Sequence, residues 1–256
     1  MAIRCVLLAM WLMLAGSASA VEAGRETPGQ VRLVSEEWID YTNANGTGLA
    51  WDVLRKVFEP VGVEVKAQTA PYSRSVGLVK RGEADAWVGS YKDEEEDNLY
   101  PRWHFDVDHI YALGLASKPA PTLEDISKHR LAWVRGYDFQ YYLPGTQDCL
   151  KAQHCREIQR REGILPMLEH NRVDFYIDAL TEVDYVLEQA SRPALFRRTH
   201  IIELPLYLAF GNNERGKALR ALFDERMDTL ARNGELKPIF DHWKQPYPFG
   251  GGSTPQ

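Results

Sequence analysis

The chain has 256 residues, 30 basic and 36 acidic side chains, and a formal net charge of −6 at pH 7. A mildly acidic chain without a basic stripe argues against nucleic acid and anionic membrane surfaces as partners. The length suffices for one large domain or two modest ones, and the ligand must be recognised by local chemistry rather than overall charge.

The first 20 residues have the pattern of a secretory signal peptide. Arg4 supplies a positive start, residues 5–14 are an almost unbroken apolar run, and residues 18–20 (Ala-Ser-Ala) form a small-residue cleavage site. The apolar run is shorter than the ~20 residues that span a bilayer, which argues against a membrane anchor. We therefore expect a mature, periplasmic chain that begins at Val21.

Strands and helices alternate through the first part of the mature chain. Apolar side chains recur at helical spacing in residues 49–58, and Ser73 can cap a second helix that Gly82 stops. The predicted strands of this part are residues 31–34, 61–65, 84–88 and 109–116. An acidic run at residues 92–97 lies before the last of them, and we interpret it as a solvated loop rather than a cation site.

The same pattern restarts after a proline-containing connector at residues 118–122. The predicted strands are residues 131–134, 173–177, 201–204 and 206–210. The predicted helices are residues 123–126, a helix after the turn at 135–138, and residues 164–170, 181–189, 217–233 and 236–243. From Pro246 the composition is rich in glycine, proline and serine, which predicts a disordered tail.

This repeated strand–helix order predicts an α/β protein. Strand–helix–strand units form parallel sheets with right-handed crossovers. Two such units joined by two extended crossings predict two lobes, and small ligands bind in the cleft between lobes.

Two cysteines, Cys149 and Cys155, remain in the mature chain. In an oxidising compartment an even pair suggests one disulfide around a short loop, and the alternative is two free thiols. A metal site with His154 lacks a fourth ligand at a recognisable spacing.

Several segments together resemble type II periplasmic solute-binding proteins, the family that contains the polar amino-acid receptors of ABC transporters. The segments are residues 48–54 (Gly-Leu-Ala-Trp-Asp-Val-Leu), 71–74 (Pro-Tyr-Ser-Arg), 82–86 (Gly-Glu-Ala-Asp-Ala), 123–126 (Leu-Glu-Asp-Ile), 134–136 (Val-Arg-Gly), 172–174 (Arg-Val-Asp), 206–210 (Leu-Tyr-Leu-Ala-Phe) and 233–234 (Asn-Gly). Each is weak alone, but their order and spacing are specific, and they cover nearly all of residues 30–245.

The resemblance implies a two-lobed α/β fold that traps its ligand by hinge closure. It implies a lobe 1 made of residues 21–115 and 205–245 and a lobe 2 made of residues 116–204, after a signal peptide at 1–20 and before a tail at 246–256. It also implies a small polar molecule as ligand, a membrane permease complex as partner and no cofactor. We further expect a monomer.

The sequence departs from the family in one place. Amino-acid receptors of the family usually carry an arginine that grips the ligand carboxylate, about five residues before a Phe-Ser-x-Pro-Tyr segment. Here residues 93–97 are all acidic, and Tyr-Pro-Arg-Trp follows at residues 100–103. This departure counts against an ordinary α-amino acid as the ligand.

The candidate ligand contacts in lobe 1 follow its strands or open its helices. They are Trp38, Tyr41, Tyr72, Arg74, Ser90 and Tyr91. Trp38 and Tyr41 follow the first strand, where the family places aromatic contacts, and a flat ring can attract a cation; ordinary packing is the alternative. Arg74 opens a helix, where a positive side chain opposes the dipole, so it either faces a ligand anion or lies on the surface.

The candidates in lobe 2 are Arg135, Gly136, Tyr137 and Asp178. Arg135 and Gly136 form a turn whose backbone N–H groups could point at an anion, or it is a plain β–α turn. Asp178 ends a strand at the carboxyl edge of the sheet, where ligands bind; in the family an aspartate here takes the ligand amino group. Capping of the next helix is the alternative.

The sequence gives less support to an enzymatic function. Residues 211–218 match the phosphate-binding loop motif except at the last position, where Ala218 replaces the serine or threonine that binds magnesium. The fold-level alternative is a periplasmic dehydratase resembling cyclohexadienyl dehydratase, with Asp178 and Glu95 as cleft acid and base. A ligand-sensing partner of a membrane receptor is a third possibility. We predict a solute-binding protein for a small polar or zwitterionic, amino-acid-like ligand, without catalytic residues or a metal site.

Overall fold

The computed structural model describes residues 28–250, so the predicted signal peptide lies outside the described residues. The strands are β1 (Gln30–Ser35), β2 (Glu64–Thr69), β3 (Ala86–Ser90), β4 (Asp106–Leu115), β5 (Leu131–Val134), β6 (Cys155–Ile158), β7 (Phe175–Ala179) and β8 (Phe196–Phe210). The α-helices are α1 (Leu49–Phe58), α2 (Tyr72–Lys80), α3 (Ile164–Glu169), α4 (Leu180–Glu188), α5 (Glu214–Leu230) and α6 (Lys237–Trp243).

The strands form one curled sheet in the order β2-β1-β3-β8-β4-β7-β5-β6. Strands β1, β2 and β3 are parallel to one another, and so are β5, β6 and β7. Antiparallel β4 and β8 lie between these two parallel groups and pair with each other from Asp106↔Leu206 to Leu115↔Phe196. The sheet is therefore two α/β lobes connected by two crossing strands, as the sequence predicts.

Lobe 1 is the group around β1, β2 and β3, and its main core lies between the sheet and helices α1, α5 and α6. The fully buried aromatic side chains there are Trp51, Phe58, Trp103, Phe105, Phe210, Phe223 and Phe240. Burying each large ring contributes about 2–3 kcal/mol. Chain segments from both ends of the sequence thus stabilise the same lobe.

Lobe 2 is the group around β5, β6 and β7. Its two cores lie on opposite faces of the sheet, one containing Trp133 and Phe139 and the other Tyr176 and Val183. A disulfide joins Cys149 and Cys155, whose Cα atoms are 5.1 Å apart. Tertiary packing and the disulfide together hold the irregular segment between β5 and β6.

Local boundaries differ from the sequence prediction in several places. Ser73 is not a cap, because α2 begins at Tyr72 with Pro71 as its N-cap. The turn at residues 135–138 leads only into a 3₁₀ turn (Phe139–Tyr141), and β6 has no counterpart in the prediction. The two strands predicted at 201–204 and 206–210 are one strand of 15 residues, β8.

The chain after Pro246 also differs from the expected tail. Phe249 is buried in the lobe 1 core and its ring stacks on His104 at a centroid distance of 4.9 Å. Residues up to 250 therefore pack against lobe 1. Among residues 28–250, no helix combines the length and apolarity needed to cross a membrane.

Candidate functional site

A cavity of about 80 Å³ lies between the lobes, against the crossing strands. Its walls come from the loop after β1, from β3, β4 and the turn after β5, and from the junction of β7 with α4. The lining side chains that matter here are Trp38, Tyr41, Tyr72, Tyr91, Glu94, Asp106, Asp108, Tyr137, Phe139, Asp178 and Glu182. The set is aromatic and acidic.

The aromatic side chains form a continuous wall. The ring centroid of Trp38 lies 6.2 Å from that of Tyr41 and 6.3 Å from that of Tyr72. Tyr72 in turn lies 6.1 Å from Tyr137 across the cleft. The indole Nε1 of Trp38 donates a hydrogen bond of 3.0 Å to the Tyr137 hydroxyl, so the two lobes already touch through this wall.

Two glycines position the lobe 1 part of the wall. Gly89 has φ +86°, and a Cβ there would lie 2.8 Å from the Trp38 ring. Gly48, with φ +129°, lets α1 begin directly against the loop, since a Cβ would lie 2.3 Å from the Tyr41 carbonyl oxygen. Only glycine allows this backbone and this close approach, which places Trp38 and Tyr41 at the cavity.

Two aspartates at the start of β4 face the wall. Tyr41 donates its hydroxyl to Asp106 Oδ2 at 2.8 Å, and Tyr91 donates to Asp108 Oδ2 at 3.1 Å. Burial raises the pKa of Asp106 to about 7, and burial together with the negative charge of Asp106 raises the pKa of Asp108 to about 7. Both carboxyl groups have neutral hydroxyl partners rather than cationic side chains.

Glu94 adds a third acidic group from lobe 1. Its Oε2 accepts hydrogen bonds from the Tyr72 hydroxyl at 2.7 Å and the Ser90 hydroxyl at 2.8 Å. Burial raises the pKa of Glu94 above its ordinary value despite these donors. The solvated-loop interpretation of residues 92–97 is therefore wrong for Glu94, while Lys92, Asp93, Glu96 and Asp97 are exposed.

The lobe 2 wall contains an arginine held by two acids. Arg161 Nε lies 3.0 Å from Asp178 Oδ2 and 3.0 Å from Glu182 Oε2. Its Nη2 donates to the Tyr137 hydroxyl at 2.7 Å. Burial and the charge of Asp178 raise the pKa of Glu182 to about 7. Arg161 thus neutralises part of this wall.

The charges and rings together suit a small cation. Carboxylates line the cavity from both lobes, and the arginine that contacts them is already shared between Asp178 and Glu182. Aromatic faces attract ammonium groups, and a cation within a few ångströms of a carboxylate favours the ionised carboxylate. A ligand nitrogen with a positive charge would complete the site.

The structure brings most of the predicted contacts together. Trp38, Tyr41, Tyr72, Tyr91, Gly136, Tyr137 and Asp178 line the cavity. Ser90 is buried behind Glu94. Arg74 and Arg135 are exposed and are not part of the lining, and the Arg135 side chain lies 3.6 Å from Glu157 instead.

Sequence reasoning missed Glu94, Asp106, Asp108, Arg161 and Glu182. Asp106 and Asp108 carried a usable signal, because carboxylates two residues apart at the start of an apolar strand share one face. The dehydratase hypothesis named Glu95 as a cleft carboxylate. Glu95 instead pairs with Lys80 at 2.6 Å and does not line the cavity. The other missed residues have no local pattern that marks them.

One group of metal-binding side chains occurs in the described part of the chain. His109, on β4, also lines the cavity, and His200 and Glu203 lie beside it on β8. The sequence prediction contained no metal site, since these histidines are far apart in sequence.

No protein-family model matches the chain, and no curated protein matches it. Solved structures match its fold. A histidine kinase sensor domain with similarity to periplasmic binding proteins superposes with a TM-score of 0.69 at 17% identity, over 86% of this chain and 97% of that one. EhuB in complex with hydroxyectoine gives a TM-score of 0.66 at 20% identity, over 85% and 89%.

A third structure is the substrate-binding protein of an ABC uptake transporter from Streptococcus pneumoniae with bound histidine. It superposes with a TM-score of 0.65 at 14% identity, over 84% of this chain and 92% of that one. Identities this low carry information about the fold alone. The chain has the two-lobed, type II periplasmic-binding-protein-like fold, with its cavity between the lobes.

Proposed function

We propose that this chain is an extracytoplasmic solute-binding protein that captures a small polar molecule with a positively charged nitrogen. The observation that carries the proposal is the pairing of Asp106 and Asp108. Asp106 is buried and Asp108 is half-buried at the cavity, and both receive tyrosine hydroxyls instead of lysine or arginine side chains. A buried carboxylate is stabilised by a nearby cation, so a cationic ligand supplies the missing charge.

Binding follows from three contacts. The ligand nitrogen faces Asp106 and Asp108, its alkyl part packs on Trp38 and Tyr137, and Asp178 approaches from lobe 2. The two walls already meet at the hydrogen bond between Trp38 and Tyr137, and closing the remaining opening over a ligand removes water, which strengthens each charge–charge contact. The crossing strands β4 and β8 are where such a closure has to bend or twist, since they connect the lobes.

A ligand carboxylate meets a less favourable wall. Arg161 is held by Asp178 and Glu182 at 3.0 Å each, so an anion competes with two resident carboxylates for the guanidinium. The remaining donors for a zwitterion are weaker, such as the Thr181 hydroxyl and the turn at Gly136. Amines and quaternary ammonium compounds therefore rank above zwitterions, and zwitterions above anions.

The delivery partner is a membrane permease complex of an ABC transporter. The support for this partner is the fold shared with substrate-binding proteins of such transporters, together with the secretory pattern of residues 1–20. The working location is the periplasm, and the working form is a monomer.

A thermal-shift screen of the mature protein tests ligand capture. The sharpest pair is choline and its uncharged isostere 3,3-dimethyl-1-butanol, with linear diamines, arginine and glutamate beside them. A ligand that binds only the folded state raises the melting temperature. We expect shifts from cations and none from the isostere or glutamate. A shift from glutamate or other anions alone would contradict the cation assignment.

The acid groups also support a second candidate, a periplasmic dehydratase resembling cyclohexadienyl dehydratase. Asp106, Asp108 and Glu182 all have a pKa of about 7, which suits general acid–base catalysis at neutral pH. Incubation with prephenate and mass spectrometry separate the two: a compound recovered unchanged supports capture, and product formation supports the enzyme.

Transport and sensing are separated in cells. Loss of ligand uptake on deletion of the chain supports transport. Unchanged uptake with a lost transcriptional response supports a sensory role, as the fold shared with a histidine kinase sensor domain would allow.

A further inference from the structure

The crossing strands carry a cluster of metal-binding side chains beside the cavity. His109 on β4 pairs directly with Glu203 on β8, and the next residue on the same face of β4, Tyr111, pairs with His200. The Nδ1 of His109 lies 3.3 Å from Oε1 of Glu203. One ligand atom from each of His109, His200 and Glu203 lies within 4.8 Å of the others.

A β-bulge creates this arrangement. His200 and Glu203 are three residues apart, and regular alternation along a strand would place them on opposite faces. The register shifts between Ile110, which pairs with Ile202, and Tyr111, which pairs with His200, so Ile201 is the extra residue. The bulge returns His200 and Glu203 to one face, and bulges commonly re-aim side chains in this way next to functional sites.

We propose that His109, His200 and Glu203 bind a divalent transition metal ion of the zinc class. Two imidazoles and a carboxylate are the donor set of open tetrahedral zinc sites, which keep a fourth position for water or another ligand. Nickel and copper accept the same donors, whereas magnesium and calcium prefer all-oxygen sites. Its three ligands are different side chains from the carboxylates that we assign to the organic cation, although His109 also lines the cavity.

The geometry requires only side-chain adjustment. Tetrahedral zinc with bonds of about 2.0–2.2 Å needs its ligand atoms roughly 3.4 Å apart. The Glu203 side chain is 59% exposed and His200 is exposed, so both can rotate towards His109 without moving the core. In the bound form the ion bridges β4 and β8 and restrains the strands that connect the lobes.

Zinc titration of the chelator-treated mature protein, followed by calorimetry, tests the site. We expect one ion per chain and at least a tenfold loss of affinity in each of His109→Ala, His200→Ala and Glu203→Gln. The matched control is His170→Ala, because His170 is exposed at the end of α3, away from the cluster. Magnesium at the same concentration should not compete.

A second readout uses Co²⁺, whose visible absorption reports tetrahedral coordination and should disappear in His200→Ala. His200 is exposed, so this variant keeps the fold and its circular dichroism spectrum. Zinc affinity that is unchanged in His200→Ala would overturn the proposal, because a simple His109–Glu203 ion pair does not need His200. Equal losses in His170→Ala would overturn it as well.

Discussion

Buried and half-buried aspartates occur in two settings in the described part of the chain. Asp85 immediately precedes β3 and lies between Arg32 Nη2 at 2.6 Å and Arg215 Nε at 2.9 Å. Asp174 takes the equivalent place in lobe 2, between Lys118 Nζ at 2.6 Å and Arg130 Nη2 at 2.8 Å. Against the effect of burial, hydrogen bonds from the arginines hold the pKa of both aspartates below the ordinary value.

The cleft aspartates differ in their partners. Asp106 is buried and Asp108 is half-buried, but both receive tyrosine hydroxyls, and desolvation raises the pKa of each to about 7. An aspartate with two cations connects parts of its own lobe and has no need of a ligand. An aspartate with neutral donors costs the fold free energy when it ionises, and an incoming cation recovers that cost.

The largest effect should follow from removing a paired aspartate. Asp85→Ala leaves Arg32 and Arg215 without their shared acceptor and leaves the Arg32 amide N–H unpaired. Loss of a buried ion-pair partner costs about 3–5 kcal/mol, and we expect about 3 kcal/mol because both arginines are partly exposed. Urea unfolding measures the change, and the exposed Glu83→Gln should leave the midpoint unchanged. Equal urea midpoints for Asp85→Ala and Glu83→Gln would contradict a structural role for Asp85.

Removing the charge of a cleft aspartate should weaken ligand binding strongly and leave stability unchanged or improved. Asp108→Asn keeps an acceptor for Tyr91 but removes the charge, so we expect about a hundredfold loss of affinity for the cationic ligand. Stability above pH 7 should not fall, because a buried charge has been removed. Calorimetry and urea unfolding measure the two effects, with the exposed Asp93→Asn as control. If Asp108→Asn is destabilised instead, Asp108 stabilises the fold as Asp85 does.

The next largest effect should be a pH dependence of stability, because the pKa of the cleft aspartates is raised while that of Asp85 and Asp174 is lowered. The folded pKa of Asp106 and Asp108, about 7, lies above the unfolded value of about 3.9, so the folded state binds more protons between these values. These groups stabilise the ligand-free protein below about pH 4, and this contribution is lost as the pH rises to about 7.

Affinity for a cation should change in the other direction. The cation prefers ionised carboxylates, so affinity should rise up to tenfold per pH unit below about pH 7 and level off above it. Calorimetry in buffers of different ionisation enthalpy should detect proton release on binding. A flat affinity profile between pH 5 and pH 8 in the native protein would show that these carboxyl groups do not contact the ligand.

The smallest effect should come from the two exposed arginines that the sequence favoured. Arg74 and Arg135 lie outside the cavity lining, so neither offsets the charge of the cleft aspartates. We expect Arg74→Ala and Arg135→Ala to change affinity less than about twofold, in line with surface substitutions generally. A large loss in either variant would mean that closure brings a cation to the cleft and that the ligand carries an anionic group.

The fold was predictable because its signals are local. The helical spacing in α1 and the apolar runs of β1, β3 and β5 each lie within about ten residues, and their order implies the parallel groups. The single long strand β8 was missed because Pro205 interrupts its apolar pattern, although Pro205 lies at Val107 in the crossing ladder. The edge strand β6 is short and polar, and its pairing with β5 decides its conformation.

The site was predictable only in part. Trp38 and Tyr41 follow β1, and Asp178 lies near the end of β7, positions that the sequence indicates. Arg161 was not predictable, because its contacts are with Asp178, 17 residues away, and with Glu182 in α4. The pKa of Asp106 depends on burial, which raises it, and on the hydroxyl of Tyr41, which is 65 residues distant and lowers it.

The return of β8 to lobe 1 has a consequence for biogenesis. Chains are synthesised from the N-terminus, and one edge of β3 stays unpaired until residues 207–210 have been made. All of lobe 2 is present before that pairing forms, so lobe 2 can complete its sheet first. Leu206 and Pro246 both line the cavity, and the buried Phe249 follows them. A product that ends before residue 246 therefore has an incomplete cavity, and under the proposed function it should not bind the solute.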